Sequence, residues 1–279
     1  NLKEIFNYNS SLKIKNYLIN NDVKKVNKIK NCKTYIFKEL NYNFKKILNE
    51  ELKIDETLFI SFGSRYIFRK NMILNFFKGN IINFHPTRLP LDAGGANISW
   101  KILKQDRICN QLCHLIDENI DTGPIIHHRS TVIPKTLNTP EEIDSYQDEQ
   151  LLVFYKELIS KLSLGKSFDL VQQTKYFGNY NPRLNTLKDG FIDWNFKSLD
   201  LINFINAFEA PYQGASTFVT NKKFKKVFIK KAQLHGGDGN NHPFMTGLIQ
   251  RHDKNWIIVS TASKYKLIIE EVYDENNVN

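Results

Sequence analysis

Apolar and polar residues alternate along this chain in two different periods. At Ser11–Asn20, Leu12, Ile14, Tyr17, Leu18 and Ile19 follow a Ser cap at roughly helical spacing, which predicts a helix. Thr34–Phe37 reads as a short strand and Asn41–Leu52 as another helix. Thr57–Phe62 is a continuous apolar run ended by Gly63, the pattern of a strand buried on both faces. A helix over Arg69–Phe77, a second buried strand over Gly79–His85 stopped by Pro86, and a helix over Ala96–Lys104 follow. Asn110–Asp117 reads as a third strand, Pro124–Ile133 as a longer alternating one, and Glu149–Leu164 as a strongly amphipathic helix. Strands alternating with helices predict an α/β fold with a mostly parallel sheet, whose ligands bind beyond the carboxyl ends of the strands. Such a sheet should have a first strand near the amino terminus. Asn1–Tyr8 is a poor candidate for it, so that strand reads as missing or degenerate.

The second half follows another pattern. Phe177–Gly190 is polar and loop-like, and Ser198–Glu209 is a helix carrying Leu199, Ile202, Phe204, Ile205 and Phe208. After Pro211 the period becomes that of strands: Ala215–Val219, Lys226–Gln233, Gly247–Arg251, Trp256–Thr261 and Lys266–Val272, with a Gly/Asn-rich turn at 236–241. Short strands with such turns predict a small barrel or sandwich.

Composition narrows the functional classes. With 279 residues and 41% hydrophobic content there is enough apolar surface for a full core. No apolar run is long enough for a membrane helix, and the polar start offers no signal peptide. Asn1 in place of an initiator Met is what a trimmed or a renumbered chain would show. Three cysteines give no disulfide framework and fit a reducing cytoplasm. Cys109, Cys113 and His114 lack a second ligand pair for zinc, so buried strand thiols are the better reading and no metal is expected. The net charge of +10 is nearly all lysine, with only seven arginines, in a chain also rich in Asn and Ile. That composition is typical of AT-rich coding, and solvated lysines explain it better than a nucleic-acid surface.

Three polar residues mark a candidate site. Asn83 and His85 lie two apart, on the same side of a strand that Pro86 ends. Asp121 lies in the turn after the next strand, and Gly94-Gly95 makes a flexible loop between them. An amide can hydrogen-bond a developing oxyanion, an imidazole can donate or relay a proton near neutral pH, and a carboxylate can orient the imidazole or accept an amine's proton. These types and places suit acyl transfer. On spacing alone satisfied strand-end polar groups and an ordinary Asp-Thr-Gly turn are the better reading.

The ordered segments Asn83-Phe84-His85-Pro86-Thr87-Arg88-Leu89-Pro90, Gly94-Gly95, Ser99-Trp100, His114-Leu115-Ile116-Asp117 and Ile120-Asp121-Thr122-Gly123-Pro124 resemble the core of the folate-dependent formyltransferases. That family includes the glycinamide ribonucleotide, methionyl-tRNA and sugar N-formyltransferases. Its Asn-x-His strand is followed about 36 residues later by an Asp-x-Gly, as His85 is by Asp121. A second stretch, Lys188-Asp189-Gly190-Phe191-Ile192-Asp193-Trp194 and Ala207 to Ala215, is similar to the opening of the carboxyl-terminal part of the tRNA and sugar enzymes.

The resemblance implies a Rossmann-like catalytic domain over 1–176, a connecting loop and helix over 177–210, and a smaller β-rich, OB-like domain over 211–279. It implies N10-formyltetrahydrofolate as formyl donor. Asn83 and protonated His85 would stabilise the oxyanion, and Asp121 would take a proton from the attacking amine and hold His85. No activated Ser or Cys is offered for a covalent route. The pterin would lie between Asp117, Glu118, Asn119 and Ile120 and the upstream turn around Arg65, Tyr66 and Ile67, although Arg65 also reads as a surface cation.

The short segment Leu89–Ala96 has no basic residue, unlike the Arg-rich insertion of the tRNA enzymes. The expected acceptor is therefore a nucleotide-linked 3- or 4-amino deoxysugar, with GDP or dTDP as the nucleotide, as in O-antigen and lipopolysaccharide biosynthesis. Arg88, Gly94, Gly95, Asn97, Trp100, Arg183 and Tyr212 are the candidate contacts. Trp100 on a helix is more often core than a ligand contact, Arg183 also reads as a solvated loop residue and Tyr212 as domain packing. A cytoplasmic homodimer would follow the family's habit. A methionyl-tRNA formyltransferase and a non-catalytic binder on the same fold are the alternatives.

Overall fold

The computed structural model describes residues 16–19, 34–37, 40–62, 66–174, 178–221, 223–237 and 241–274. Along the chain run β1 (Asn16–Ile19), β2 (Thr34–Phe37), α1 (Tyr42–Glu51), β3 (Phe59–Phe62), α2 (Lys70–Asn75), β4 (Ile81–His85) and β5 (Asp92–Gly94). Then come α3 (Asn97–Leu103), β6 (Ile108–Leu115), β7 (Ile125–Val132), α4 (Pro140–Ser163), β8 (Asn179–Asn181), α5 (Thr186–Asp189) and α6 (Ser198–Ala207). β9 (Ala215–Asn221), β10 (Lys223–His235), β11 (Ile249–His252), β12 (Ile257–Val259) and β13 (Lys266–Asp274) complete the order. Two compact units form, interleaved in sequence: one of 1–93, 110–130 and 150–179, the other of 94–109, 131–149 and 180–279.

In the first unit, β1 and β2 pair in parallel. The helix expected over Ser11–Asn20 is corrected to a strand at 16–19, with its remainder outside the described residues. Tyr17, Leu18 and Ile19 are consecutive rather than spaced, which suits a short strand better than a helical stripe. Asn1–Tyr8 and Cys32 also lie outside the described residues.

The main sheet has the order β3-β4-β6-β7. β3 and β4, joined through α2, are parallel, and β4 and β6 are antiparallel. Its alternate residues face two apolar layers. Phe59 and Ile81 pack with Phe44 and Leu48 of α1 and Met72 and Ile73 of α2. Ile82, Phe84 and Cys113 pack with Phe154, Leu158 and Leu162 of α4. Asn83 and His85 therefore share the face of Ile81.

The expected helix over Glu149–Leu164 begins earlier, at Pro140. Thr139 and Glu142 form a reciprocal cap, Thr139 N–H donating to Glu142 Oε2 at 3.0 Å and Glu142 N–H to Thr139 Oγ1 at 3.4 Å. With Pro140 as the first helical residue, this is a helix start that the apolar pattern alone does not reveal.

In the second unit the five predicted carboxyl-terminal strands form one antiparallel sheet, order β11-β12-β13-β10-β9. Leu201, Ile205 and Ala207 of α6 pack on Ala215, Ile229, Leu267 and Ile269. Phe177–Gly190, read as loop, contains β8 and α5, both too short to show a period. Asn185 caps α5 by accepting from Leu187 N and Lys188 N. Among the described residues no helix is long and apolar enough to cross a membrane.

Candidate active site

β4 ends where Pro86 removes the next backbone donor. Its antiparallel register places Asn83 opposite His114 on β6. Opposed side chains on one sheet face are neighbours, and Asn83 Nδ2 lies 3.2 Å from His114 Nε2. The other ring nitrogen, Nδ1, is 2.8 Å from the Leu115 carbonyl. A carbonyl can only accept, so Nδ1 carries the hydrogen and Nε2 of the neutral ring accepts from the Asn83 amide. That bond orients the amide and leaves its second Nδ2 hydrogen to offer.

Asp121 reaches the same place from the turn between β6 and β7. Its φ of +55° lies in the left-handed region, which Asp tolerates better than most residues. The turn is held from within by Asp117, whose carboxylate accepts from Asn119 N at 3.1 Å and from Thr122 Oγ1 at 2.7 and 2.8 Å. Gly123 is required sterically, because a Cβ there would stand 1.8 Å from the Leu115 carbonyl oxygen. The Asp121 carboxylate straddles two imidazoles, with Oδ2 at 3.6 Å from His85 Nε2 and Oδ1 at 3.7 Å from His114 Nε2. Both separations exceed a direct hydrogen bond, as is common in catalytic groups before substrate binds.

His85 and Asp121 keep side-chain exposures of 24% and 20%, against 3% for His114, so the first two face an opening and the third supports them from below. His85 Nε2 is buried without a hydrogen-bond partner among the described residues. Burial pushes the His85 pKa below the usual histidine range, against the pull of Asp121 and with a small push from His114. Burial likewise lowers His114, against the Leu115 carbonyl, Asp121 and Asp117. Burial thus favours the neutral form of both rings, whereas the sequence leads one to expect a protonated His85. His114 was absent from the expected chemical groups, because strand register against β4 cannot be read from one chain.

The two segments expected at the donor lie side by side. Lys70 at the start of α2 pairs with Glu118 at 3.6 Å, and Tyr66 and Ile116 share one apolar cluster. Ile67 and Ile120 are exposed, and Asn119 is too. The Tyr66 hydroxyl is turned to Met72 Sδ at 3.5 Å. Arg65 lies outside the described residues.

Of the expected acceptor contacts, Arg88 belongs to the first unit and pairs with Asp92 at 3.3 Å. Gly94, Gly95, Asn97, Trp100, Arg183 and Tyr212 belong to the second. A Cβ on Gly94 would meet the Asn181 carbonyl oxygen at 2.1 Å, and one on Gly95 would meet Arg183 Cβ at 3.0 Å. Trp100 Nε1 donates to the Pro182 carbonyl at 2.9 Å. The glycine pair and the indole thus secure the 181–183 segment. Arg183 is exposed and Tyr212 half-exposed. Cys109 and Cys113 are buried free thiols, burial raising the Cys113 pKa far above its ordinary value, and no metal-ligand cluster occurs among the described residues.

Two family models match, the formyl transferase model over residues 45–154 and the formyl transferase C-terminal domain model over 186–277, together most of the chain. The chain belongs to the formyl transferase family. Among curated relatives of this formyltransferase, the methionyl-tRNA formyltransferase of Clostridium perfringens is 28% identical over 231 residues, 82% of this chain and 70% of that protein. The chain spans between 57% and 70% of the first three such relatives, all methionyl-tRNA formyltransferases. Among solved structures, an N-formyltransferase from Helicobacter canadensis in complex with folinic acid and dTDP-3-aminofucose aligns with a TM-score of 0.62 at 21% identity, covering 79% of this chain and 75% of that one. WlaRD, a sugar 3N-formyl transferase in the presence of dTDP and 5-N-formyl-THF, aligns with a TM-score of 0.59 at 24% identity, covering 80% and 74%.

Proposed function

We propose that this formyltransferase moves a formyl group from N10-formyltetrahydrofolate to the amine of a nucleotide-linked 3- or 4-amino deoxysugar. The observation that carries the chemistry is the convergence of Asn83, His85 and Asp121, with the unpartnered Nε2 of His85 beside the carboxylate at 3.6 Å. A buried polar atom with no partner is costly to keep and suits a group that meets its partner in the reactants.

The folate supplies an electrophilic formyl carbon and a nitrogen leaving group. The chain's residues divide the remaining work. Asn83 offers its second Nδ2 hydrogen, and neutral His85 its Nε2–H, to the formyl oxygen as negative charge builds there. Asp121 accepts the proton of the attacking amine and returns it to the departing nitrogen. His114 touches neither reactant in this scheme. It holds the Asn83 amide in the orientation its hydrogen bond demands. Exposed Ile67 and Ile120, on adjoining segments, offer an apolar edge for the flat pterin.

For the acceptor, the supporting observation is the segment after β4. Leu89–Ala96 contains no basic residue, and the guanidinium of Arg88 is paired with Asp92, so little cation is left there for a polyanion. Solved relatives named for dTDP and dTDP-3-aminofucose share the fold. The curated relatives favour a second reading, methionyl-tRNA as acceptor. One assay separates the two: N10-formyltetrahydrofolate with dTDP- and GDP-amino sugars in parallel with initiator methionyl-tRNA, formylation being read by mass. A formylated sugar nucleotide supports the proposal. Formylation of the tRNA alone replaces it with the second reading.

A further inference from the structure

We propose that Gln173 is a positioning residue for Asp121, acting through the backbone of the turn that presents the carboxylate. The inference rests on the role proposed for Asp121. Gln173 Nε2 donates to the Asp121 carbonyl at 2.9 Å and to the Gly123 carbonyl at 2.7 Å. Both hydrogens of one amide nitrogen are thereby used, and two carbonyls flanking Thr122 are drawn to a single point.

The turn needs such a clamp. A non-glycine residue is strained at left-handed φ, and Asp121 adopts +55°. Asp117 holds the turn from within through Thr122, whereas Gln173 holds it from outside. The segment bearing Gln173 is itself fixed two residues earlier. Val171 and Ile125 exchange main-chain hydrogen bonds at 2.8 and 2.9 Å, so the clamp is anchored at the turn's exit into β7. Side-chain length matters as well. Asn is one methylene shorter and cannot span both carbonyls from the same backbone position. The carboxylate of Glu would set acceptors against acceptors.

The consequence falls on placement. Asp121 stands between two imidazoles at 3.6 and 3.7 Å, and misplacing a catalytic group by 1 Å can lower a rate by about a hundredfold. Releasing the clamp should therefore lower turnover more than donor affinity.

The test uses Gln173→Met, of similar length and without donors, in the full chain. Amide exchange over residues 115–124 should quicken at least tenfold while the melting temperature moves by no more than a few degrees. With N10-formyltetrahydrofolate and dTDP-3-aminofucose, kcat should fall about 10- to 100-fold and the donor KM should change less than about threefold. In an Asp121→Asn background the same substitution should change kcat less than about threefold, since the group it positions is already disabled. Gln173→Asn, the milder variant, should give intermediate exchange and serves if Gln173→Met folds poorly. Unaltered exchange over 115–124, or losses that multiply in the double variant, would overturn the inference. If the unmodified protein formylates no acceptor, the proposed function fails, and the exchange comparison still decides whether the clamp exists.

Discussion

Polar groups are treated in opposite ways at the end of β4 and around the glycine pair that follows it. Near Asn83, the contacts are loose. The carboxylate of Asp121 sits 3.6 and 3.7 Å from two imidazoles, and His85 Nε2 has no partner among the described residues. Around Gly94-Gly95, they are closed: Trp100 Nε1 reaches the Pro182 carbonyl at 2.9 Å, Gly95 N–H reaches the Asn181 carbonyl at 2.9 Å, and Lys104 Nζ reaches Asn181 Oδ1 at 2.9 Å. The difference separates two kinds of polar residue. Groups whose bonds are complete hold the chain together, whereas the His85 Nε2 atom is left with a bond still to make.

This contrast can be broken or sharpened by experiment. The largest effect is expected at the loose end. Asp121→Asn should lower turnover by about 10²- to 10⁴-fold, the range of a lost general base, with the melting temperature nearly unchanged; the yield of formylated product by mass measures it. Next, Gly94→Ala should act on stability, by about 2–4 kcal/mol in a urea titration, because its Cβ would stand 2.1 Å from a carbonyl oxygen at a φ of +107°. A destabilisation under 1 kcal/mol, on the same estimate, would mean that the close approach to Asn181 relaxes freely. His114→Phe keeps a ring of similar shape but frees the Asn83 amide. It should lower kcat about tenfold with little change in donor KM, since one orienting hydrogen bond is worth about 1–1.5 kcal/mol.

The two neutral histidines also give stability a pH dependence of definite sign. In the unfolded chain they take up protons as the pH falls through about 6.5, whereas burial keeps them neutral to lower pH in the fold. The unfolded state then binds more protons, so their effect is absent above that pH and destabilising below it. The melting temperature of His114→Gln should therefore fall less steeply than that of the unmodified protein between about pH 7.5 and 5.5. The smallest effect belongs to the closed region. Trp100→Phe removes one satisfied hydrogen bond and should cost about 1 kcal/mol in urea. A large rise in acceptor KM instead would give the indole a role in binding.

Much of this was legible in the chain. Thr57–Phe62 and Gly79–His85 announce buried strands because apolar runs of that length bounded by Gly or Pro have few other uses, and Asn83 and His85 fall on one face by parity alone. Asn41 announces its helix by capping it. Other features depend on partners far away in sequence. His114 becomes the neighbour of Asn83 only through the antiparallel register of β4 and β6, and Gln173 meets Asp121 across some fifty residues. Protonation escaped for the same reason: the neutrality of His85 comes from burial, which a linear pattern does not contain. At Pro140 the signal was present, since Thr139 and Glu142 have capping spacing, but the apolar stripe that marks the helix begins later.

The register of β6 on β4 bears on how such a protein can diversify. Between these strands the chain leaves the first unit at residue 94 and comes back at 110. The Asn83–His114 contact depends on where the returning strand lands and is indifferent to the route taken. A shift by a single residue would turn His114 to the opposite face, whereas exchanging the excursion for a relative's, with the landing point kept, should leave the chemistry standing. That stretch can therefore change in length and sequence without moving the contact between the two strands.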